Sequence, residues 1–465
     1  MNNKQLVADW LKSWADTNGN VNSIQDILDW VLEIRQRTYV NIKEYEMQKD
    51  DFWFYNEKVG KISNQKNSFF SIMGIRKYEN GKMVSEQPII CQPEIGYLGI
   101  ICKKIDGQLN LLMQAKIEPG NVNCVQISPT IQATKSNFTQ VHGGKLPLYF
   151  EYFEQADKYH IIYDQIQSEQ SSRFLKKRNR NIIILVDKDV PVYENYRWMT
   201  LGQIKKLMRY DNLINMDTRT VISGIPLSGF HFEESRLDSF KDYFKDTSFF
   251  ESIFSAETID DLPLVYHQIN NYKMFHNDEI EEVPLYELKQ WKIDETGMEC
   301  SKEADFCVKY YDISIEGREV SQWKQPLFKA LGNAVFGLLI KRTDKGMKFL
   351  VRIRSEVGSF DKMELAPSIQ WEPTHKADTD DMVEAFFRNR YAKKQGVFLD
   401  VILSEEGGRF YQEQNRNVVM LVEEDELADV PADYMWVSFS TLNMLVQINN
   451  CLNIQLRNLL STFEL

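Results

Sequence analysis

Several common functional signatures are missing from this chain of 465 residues. Its 6 histidines show neither an HxH nor an HExxH spacing, and its 6 cysteines form no CxxC pair, so the sequence indicates no metal site. It also contains no GxGxxG, P-loop or GxSxG motif, which argues against hydride transfer with a Rossmann-bound cofactor. We therefore expect a protein that uses neither a metal nor another cofactor.

Long apolar runs and a basic charge balance are missing as well. No apolar run approaches the roughly 18 residues of a membrane span, and the first residues contain no long apolar region of a secretory signal peptide. The net charge of -12 argues against nucleic acid as a partner, because binding to phosphates requires a basic surface. The scattered cysteines are typical of reduced, buried thiols, so we expect a cytoplasmic protein without nucleic-acid or membrane partners.

What the sequence does contain is a long internal repeat. Glu118 matches Glu356 at a spacing of 238 residues (356 − 118), and many further residues match in the same order. The same spacing pairs Pro129 with Pro367 and Gln132 with Gln370. After a two-residue slip, Ser168-Glu169 matches Ser404-Glu405 and Asn179-Arg180-Asn181 matches Asn415-Arg416-Asn417. The chain is therefore predicted to be a tandem duplication.

One repeat unit is predicted to be a mixed sheet closed by a helix. Asp106-Gly107 is a typical hairpin turn, and the returning strand, residues 109–117, ends at Glu118-Pro119-Gly120. The β-branched run 181–186 predicts a buried strand. Thr200 is placed to cap the following helix, as Ser438 is in the second copy.

Two regions lie outside the copies in this alignment. Residues 1–60 show helical periodicity, with a capping-box pattern at Ser23 and Asp26. Residues 226–310, which include the acidic run 277–282, are interpreted as a solvated connector. We therefore predict an α/β (α+β) chain with an N-terminal helical segment (1–60), a first repeat (61–225), this connector and a second repeat (311–465).

The polar face of the strand before Glu118 is the first candidate site. Because side chains alternate along a strand, Gln114, Lys116 and Glu118 share one face. The matching face in the second copy carries Arg352, Arg354 and Glu356. Such a face can simply be exposed to solvent. A pocket also needs such groups, since cations bind phosphate oxygens and a carboxylate transfers protons or binds sugar hydroxyls.

A dense run of neutral hydrogen-bonding side chains follows in the first copy, over residues 124–138. This density suits a sugar or a nucleotide base, and a plain polar loop has the same composition. A His-Gly-Gly segment and an aromatic run come next. The second copy retains Gln370 but lacks the rest, so we expect the chemistry mainly in the first copy. The candidate side chains are Asn121, Gln132, Ser136, Asn137, His142, Tyr149 and Tyr152.

Four arginines occupy matching places in the two copies, namely Arg173, Arg180, Arg409 and Arg416. A guanidinium binds phosphate through two parallel hydrogen bonds, so these side chains are candidates for binding a diphosphate. Structural ion pairs, for instance with Glu169 and Glu405, would produce the same matching. The sequence leaves both interpretations open.

Longer motifs make the sequence similar to a known family. Residues 114–121 read QAKIEPGN, and residues 126–137 read QISPTIQATKSN. Three further segments continue the match: His142-x-Gly144, Tyr149-x-Glu151-Tyr152-Phe153 and residues 404–410 (SEEGGRF). Together they resemble the signature of the NDP-hexose 2,3-dehydratases over nearly the whole chain, including the duplication.

The resemblance implies two Nudix-like units, a homodimer, and activity on dTDP-4-keto-6-deoxy-D-glucose in deoxysugar biosynthesis. It also implies an unstable 3,4-diketo product and therefore a partner 3-ketoreductase that consumes it. Neither copy contains the Nudix box with its paired glutamates. This agrees with units that bind a nucleoside diphosphate without metal-assisted hydrolysis.

The implied reaction is a β-elimination. The C4 ketone acidifies the C3 proton, a base removes this proton, and the C2 hydroxyl then leaves. Glu118, beside Lys116 at the end of its strand, is the predicted base, and His142 is the rival base. Lys116, Tyr149 or Tyr152 is predicted to stabilise the enolate. A non-catalytic nucleotide-sugar-binding protein and a Nudix-type hydrolase are the alternatives.

Overall fold

A computed structural model describes residues 3–139, 146–316, 321–376 and 380–465. The first half contains, in order, α1 (Asn3–Ala15), α2 (Ile24–Arg37), β1 (Val40–Glu44), β2 (Trp53–Asn56), β3 (Lys61–Asn64), β4 (Ser71–Glu79), β5 (Lys82–Cys91), β6 (Gly96–Ile105), β7 (Gln108–Ile117), β8 (Val125–Ser128), β9 (Ile131–Ala133), α3 (Lys135–Phe138), α4 (Phe150–Glu154), β10 (His160–Ser168), β11 (Arg178–Leu185), β12 (Tyr196–Met199), α5 (Leu201–Leu207) and α6 (Met216–Ser223). The second half contains α7 (Glu234–Lys241), α8 (Thr247–Ile253), α9 (Thr258–Phe275), β13 (Asp278–Val283), β14 (Trp291–Asp294), β15 (Gly297–Cys300), β16 (Phe306–Ile315), β17 (Gln322–Ala330), β18 (Val335–Thr343), β19 (Gly346–Arg354), β20 (Glu364–Pro367), β21 (Ile369–Trp371), α10 (Met382–Ala392), β22 (Val397–Ser404), β23 (Phe410–Tyr411), β24 (Gln414–Val422), β25 (Tyr434–Ser438), α11 (Phe439–Leu445) and α12 (Ile454–Ser461).

Each half builds a seven-stranded sheet with the same strand order. In the first sheet the order is β10-β11-β6-β7-β12, with β8 beside β7 and β9 beside β6. In the second it is β22-β24-β18-β19-β25, with β20 beside β19 and β21 beside β18. The pairs β11–β6 and β24–β18 are parallel, so both sheets are mixed. The predicted duplication of a mixed α/β unit is confirmed, and the label Nudix-like stays a prediction.

The local patterns form the elements that the sequence predicts. Asp106 and Gly107 have φ angles of 51° and 75°, which is the geometry of a two-residue hairpin turn between β6 and β7. Thr200 and Ser438 cap α5 and α11 by accepting backbone hydrogen bonds. Ser23 and Asp26 form the capping box of α2.

The two halves exchange a strand with each other. β1 pairs antiparallel with β16, with Val40 opposite Ile315, although β16 belongs to the second half. In return, β13 pairs antiparallel with β4, with Asp278 opposite Glu79. β1 and β13 begin 238 residues apart (278 − 40), so they are equivalent strands in exchanged positions.

This exchange corrects the interpretation of the two flanking regions. The segment 1–60 is helical only through α2, because β1 and β2 are strands whose hydrogen-bonding partners lie elsewhere in the chain. The acidic run 277–282 lies largely in β13, and its outward side chains remain exposed. The predicted boundary at 310 falls inside β16. We propose two units instead, comprising residues 3–225 and 226–465.

The inner faces of both large sheets share one hydrophobic core. Trp10 and Trp14 of α1, Phe349 of β19 and Leu459 of α12 are buried in the same cluster. The outer faces are covered separately by α4 in the first unit and α10 in the second, with Phe153 and Phe387 as buried contacts. A continuous core makes the two units one folding body. Among the described residues, no helix is long and apolar enough to cross a membrane.

Backbone contacts lock the units together at two equivalent points. Gly120 donates a hydrogen bond of 2.7 Å to the Gly407 carbonyl and accepts one of 2.7 Å from Gln412. Gly358 likewise donates to Ser171 and accepts from Lys176, both over 2.8 Å. At each of these points, which we call a crossing, a loop of one unit lies against the end of the strand of the other unit that carries the polar face.

Candidate active site

Glu118 lies just beyond the end of β7, and its side chain is buried, with the residue 5% exposed. The Gln132 amide donates a hydrogen bond of 3.0 Å to Glu118 Oε1, and the Asn215 amide donates to Gln132 Oε1 over 3.2 Å. The Lys116 ammonium lies 3.6 Å from Glu118 Oε1 and donates to the Gln132 carbonyl over 3.1 Å. The structure therefore brings Lys116, Glu118 and Gln132 into one site.

The second unit supplies the opposite wall of this site. Segment 405–409 follows β22 and crosses the turn after Glu118, where the Gly120–Gly407 hydrogen bond holds it. A β-carbon built on Gly408 would lie 2.6 Å from Glu406 Oε1 and 3.6 Å from Glu118 Oε1. Glycine at this position leaves room for the Glu406 carboxylate, and carboxylate oxygens from both units lie close to it.

Asp217, in the first turn of α6, adds a third carboxylate and is 3% exposed. Burial raises the pKa of Asp217 well above its ordinary value, and neighbouring carboxylates raise it further against the opposing charge of Lys116. Burial also raises the pKa of Glu406. The positive charge of Arg409 lowers this pKa, and the negative charge of Glu118 raises it further. The cluster therefore retains a proton to a higher pH than an isolated carboxyl group would.

The second unit repeats the framework of this site. The Gln370 amide donates to Glu356 Oε1 over 2.8 Å, and the Asn453 amide donates to Gln370 Oε1 over 3.0 Å. Arg354 lies 4.0 Å from Glu356 Oε1, in the place that a lysine holds in the first unit. The predicted residues Arg354, Glu356 and Gln370 thus form a second, related site.

The two sites differ in their acidic side chains. Gln170 occupies the position in the second site that corresponds to Glu406 in the first. Gln455 likewise corresponds to Asp217. An amide cannot release or accept a proton as a carboxyl group does in this pH range. The second site keeps the amide-held carboxylate and loses the two proton-carrying neighbours, which favours the first site for proton transfer.

Glu364 carries a buried carboxyl group beside the second site. Ser168 and Ser171 hydroxyls donate to its two oxygens, and burial nevertheless raises the pKa of Glu364 to about 7. Gln126 is its counterpart in the first unit, and that amide donates to Ser404 Oγ over 2.6 Å. An amide is therefore compatible with this position.

We expect Glu364→Gln to make the free energy of unfolding less dependent on pH. The folded state keeps the Glu364 proton up to about pH 7, whereas the unfolded state loses it near the ordinary value of 4.5, so stability falls as pH rises through this window. The slope from one such group is at most about 1.4 kcal/mol per pH unit. Urea denaturation at a series of pH values measures it. An unchanged slope in the variant would contradict the assignment.

Arg180 and Arg416, which were candidates for binding phosphate, are held in ion pairs. Arg180 binds both oxygens of Asp164, with Nε 2.7 Å from Oδ1, and also the Tyr97 hydroxyl at 3.1 Å. Arg416 contacts Asp400 Oδ1 at 2.7 Å in the same manner. The structural interpretation accounts for both guanidinium groups.

The partners named for these ion pairs were wrong. Glu169 accepts a hydrogen bond of 2.7 Å from Asn179, and Glu405 accepts one of 2.6 Å from Asn415. Each asparagine directly precedes its arginine on a strand, and successive side chains point to opposite faces. The arginine therefore points away from the glutamate that follows the neighbouring strand.

We expect Arg180→Ala to leave the affinity for dTDP within about twofold, because the guanidinium is already paired with Asp164. The free energy of unfolding should fall by about 1 kcal/mol, since the ion pair is only partly buried. Calorimetric titration with dTDP and urea denaturation measure the two effects. A loss of affinity of about tenfold or more would return Arg180 to the ligand-binding residues.

The other candidate arginines also have protein partners. Arg352 donates to Asp433 over 2.8 Å and to the Tyr434 hydroxyl over 2.9 Å. Arg173 is buried, and its guanidinium lies over the Phe306 ring and pairs with Glu372 at 3.1 Å. Arg409 is buried against Phe69 and donates to Gln92 Oε1 over 3.2 and 3.0 Å. Arg173 and Arg409 lie in the two segments that contact the other unit, whereas Arg352 pairs within the second sheet.

The tyrosines proposed for the enolate lie in a separate cluster on the outer face of the sheet. The Tyr149 hydroxyl donates to the Pro191 carbonyl over 2.7 Å, and burial raises the pKa of Tyr149 well above its ordinary value. Tyr152 stacks on Tyr159 at 5.6 Å between ring centroids. Both rings pack with Leu112 and Ile184 in the outer core. Lys116 is therefore the better placed of the three candidates for the enolate.

Two further candidates of the first copy have roles in the backbone turn and in the sheet. Asn121 donates to the Cys124 carbonyl over 3.2 Å, within the turn that meets the second unit. Gln114 accepts a hydrogen bond of 3.4 Å from the Ser128 hydroxyl. Both lie near Glu118 along the chain and support the strand end.

The remaining candidates follow the polar strand β9. Asn137 and Thr134 form the capping box of α3, and the Ser136 hydroxyl lies 2.9 Å from Thr134 Oγ1. His142 lies outside the described residues. Within the ranges that the structure covers, no group of three or more His, Cys, Asp or Glu side chains is arranged to hold a metal ion.

Sequence reasoning missed Asn215, Asp217 and Glu406 as members of the site. Asn215 was visible only as a repeat match with Asn453, and Glu406 only as part of the SEEGGRF segment. A charge difference between the two copies could have identified Asp217 and Glu406, because each of them is aligned with a glutamine in the other copy.

Comparison with known proteins shows which family the chain resembles. A family model described as NDP-hexose 2,3-dehydratase matches residues 24–225 and again residues 264–463. Three relatives carry the name dTDP-4-dehydro-6-deoxy-alpha-D-glucopyranose 2,3-dehydratase. The protein of Streptomyces violaceoruber is 35% identical over 416 residues, covering 88% of this chain and 90% of its own length. That of Saccharopolyspora spinosa is 36% identical over 424 residues (89% and 85%), and that of Amycolatopsis orientalis is 32% identical over 460 residues (97% and 92%).

The two matched segments follow the duplication, since each lies within one of the two structural units. The first match begins at α2 and the second within α9, and both include the exchanged strand that follows, β1 or β13. The family model and the relatives, which match most of the chain, show that the chain belongs to the NDP-hexose 2,3-dehydratase family.

Proposed function

We propose that this protein removes water from C2 and C3 of dTDP-4-keto-6-deoxy-D-glucose, as a carbon–oxygen lyase of deoxysugar biosynthesis. The relatives' names support the substrate and the reaction. The observation that carries the proposal is the amide-held carboxylate of Glu118, which lies 3.6 Å from the Lys116 ammonium and beside carboxyl groups with raised pKa values. A β-elimination requires these groups, namely a base, an electrophile for the enolate and an acid.

The first step is removal of the C3 proton. The C4 ketone makes this proton acidic, and Glu118 accepts it while the electron pair moves towards the C4 oxygen. The Lys116 ammonium stabilises the negative charge that develops on that oxygen. Gln132 and Asn215 orient Glu118 through two amide hydrogen bonds in series. These contacts fix the base before the substrate binds, which lowers the cost of reaching a reactive geometry.

The second step is loss of the C2 hydroxyl. The enolate electron pair forms a C2–C3 double bond, the C4 ketone is restored, and the C2 oxygen leaves as water after it receives a proton. C3 still carries its own hydroxyl, so the product is an enol that tautomerises to the 3,4-diketo sugar. Because a vicinal diketone is reactive, we propose that a 3-ketoreductase consumes it.

The family resemblance also carries two proposals about the protein as a whole. We propose that it acts as a homodimer and works in the cytoplasm. These proposals rest on the resemblance and on the composition of the chain. Sedimentation of the purified protein at several concentrations tests this proposal. A homodimer should have a mass of about twice the 54.7 kDa of one chain.

The test of the function is a coupled reaction. The protein is incubated with dTDP-4-keto-6-deoxy-D-glucose, a 3-ketoreductase, NADPH and EDTA. We expect formation of a dTDP-4-keto-2,6-dideoxy sugar that depends on both proteins. Unchanged substrate in spite of measurable binding would instead support a non-catalytic binding protein. Release of dTMP would support a nucleotide-sugar hydrolase.

A further inference from the structure

We propose that Glu406, which the second unit carries into the first unit's site, is the acid that protonates the departing C2 hydroxyl. The inference rests on the proposed dehydration and adds a catalytic residue to it. It also makes the site a composite of both units, because the base and the acid come from different copies of the repeat.

The geometry places the two carboxyl groups close to the same glycine, Gly408. Glu406 Oε1 and Glu118 Oε1 lie 2.6 Å and 3.6 Å from the point that a β-carbon of Gly408 would occupy. Elimination needs the base and the acid close together, since they act on neighbouring carbon atoms of the sugar. A β-carbon at position 408 would collide with the Glu406 carboxylate, so glycine leaves room for this side chain.

Position and exposure favour Glu406 over Asp217 as the acid. Glu406 Oε1 lies beside Gly408, as Glu118 Oε1 does. Glu406 is also half-buried, whereas Asp217 is 3% exposed.

The charges around Glu406 are compatible with a protonated carboxyl group before reaction. Burial and Glu118 favour its neutral form, whereas Arg409, Lys116 and Lys177 favour its charged form, and the pKa is raised on balance. Lys116 pairs directly with Glu118 at 3.6 Å. Glu118 is thereby paired with a cation, while the pKa of its neighbour Glu406 is raised, and an acid and a base require such a difference between two carboxyl groups.

The second site supplies an internal comparison. Glu118 has a carboxylate counterpart in Glu356, which Gln370 holds in the same way. The position of Glu406 is taken by Gln170, whose amide cannot protonate a leaving group. Of the two related sites, only the first therefore pairs a held carboxylate with a second carboxyl group at this position.

The proposed step conserves atoms and charge. The Glu406 proton moves to the C2 oxygen, the C2–O bond breaks, and its electron pair leaves with the oxygen as water. The electron pair of the enolate forms the C2–C3 double bond and restores the C4 ketone. Glu406 is left as a carboxylate and regains a proton from solvent before the next turnover.

The variant Glu406→Gln tests the proposal, because it removes the proton and keeps the shape. The coupled dehydration and the exchange of the C3 hydrogen of the substrate in deuterated water are measured on the same protein. We expect the variant to lose dehydration by about 100-fold or more and to retain C3 exchange. Retained exchange also demonstrates that the variant is folded and binds the substrate.

Two results would overturn the role of Glu406. One is dehydration at the wild-type rate, and the other is loss of C3 exchange together with dehydration while dTDP binding remains intact. Absence of dehydration in the wild-type protein would instead contradict the proposed function, so the two failures are distinguishable. The exposed Glu424→Gln provides the matched control, for which wild-type rates are expected.

Discussion

Glu118→Gln should abolish dehydration while leaving dTDP binding largely intact. The amide cannot accept the C3 proton, and loss of a general base lowers the rate by roughly 10²–10⁴-fold. Gln132, which donates to Glu118 Oε1 over 3.0 Å, can still bond to the amide oxygen, so the site should keep its shape. The coupled assay measures the rate, and calorimetric titration with dTDP measures binding.

The exchange of the C3 hydrogen of the substrate with solvent deuterium distinguishes Glu118→Gln from Glu406→Gln. Without the base, both exchange and dehydration should disappear, whereas without the acid only dehydration should. Glu424→Gln is again the matched control, because it makes the same chemical change on an exposed side chain of the second unit. Turnover of Glu118→Gln at the wild-type rate would remove Glu118 from the mechanism.

Gly120→Ala should destabilise the whole protein, although it changes one hydrogen to a methyl group. A β-carbon at Gly120 would lie 1.6 Å from the Phe410 carbonyl oxygen, which is backbone and cannot rotate away. Overpacking of this kind costs about 1–3 kcal/mol, and at this distance we expect the upper end of that range or more. The urea midpoint of unfolding measures the loss.

The same substitution should also lower activity in the surviving folded fraction, because the crossing holds the segment that carries Glu406. Gly332→Ala is the control, since Gly332 is exposed and its added β-carbon would lie 3.0 Å from Pro373 Cβ. We expect that variant to unfold within about 1 kcal/mol of the wild type. Equal stability of the wild type and Gly120→Ala would show that the crossing is not a tight contact.

Local patterns were sufficient for many elements of the fold. The Asp106-Gly107 turn and the helix caps at Ser23, Thr200 and Ser438 depend on a few neighbouring residues, and each is found as predicted. The strand exchange could not be predicted in this way. Residues 40–44 were part of the predicted helical segment, whereas they form β1 and pair with β16 of the other unit, because pairing partners are set by tertiary contacts.

The same distinction applies to the candidate site. Lys116, Glu118 and Gln132 were predicted because strand alternation and the following polar run lie close together in the chain. Glu406 reaches Glu118 only through the crossing of the two units, so no local pattern could connect them. For Arg180 the sequence left phosphate binding and a structural ion pair open, and its partner Asp164 becomes apparent only from the pairing of β10 with β11.

The most direct test of the account is the coupled reaction carried out in deuterated water with unlabelled NADPH. Removal of the C3 proton by a base, followed by tautomerisation, predicts a dTDP-4-keto-2,6-dideoxy sugar that carries solvent deuterium at C2. The hydrogen at C3 then comes from NADPH. A product without deuterium at C2 would mean that the hydrogen removed from C3 reaches C2 without exchange with solvent, and this result would contradict the solvent exchange of the C3 proton that the account predicts.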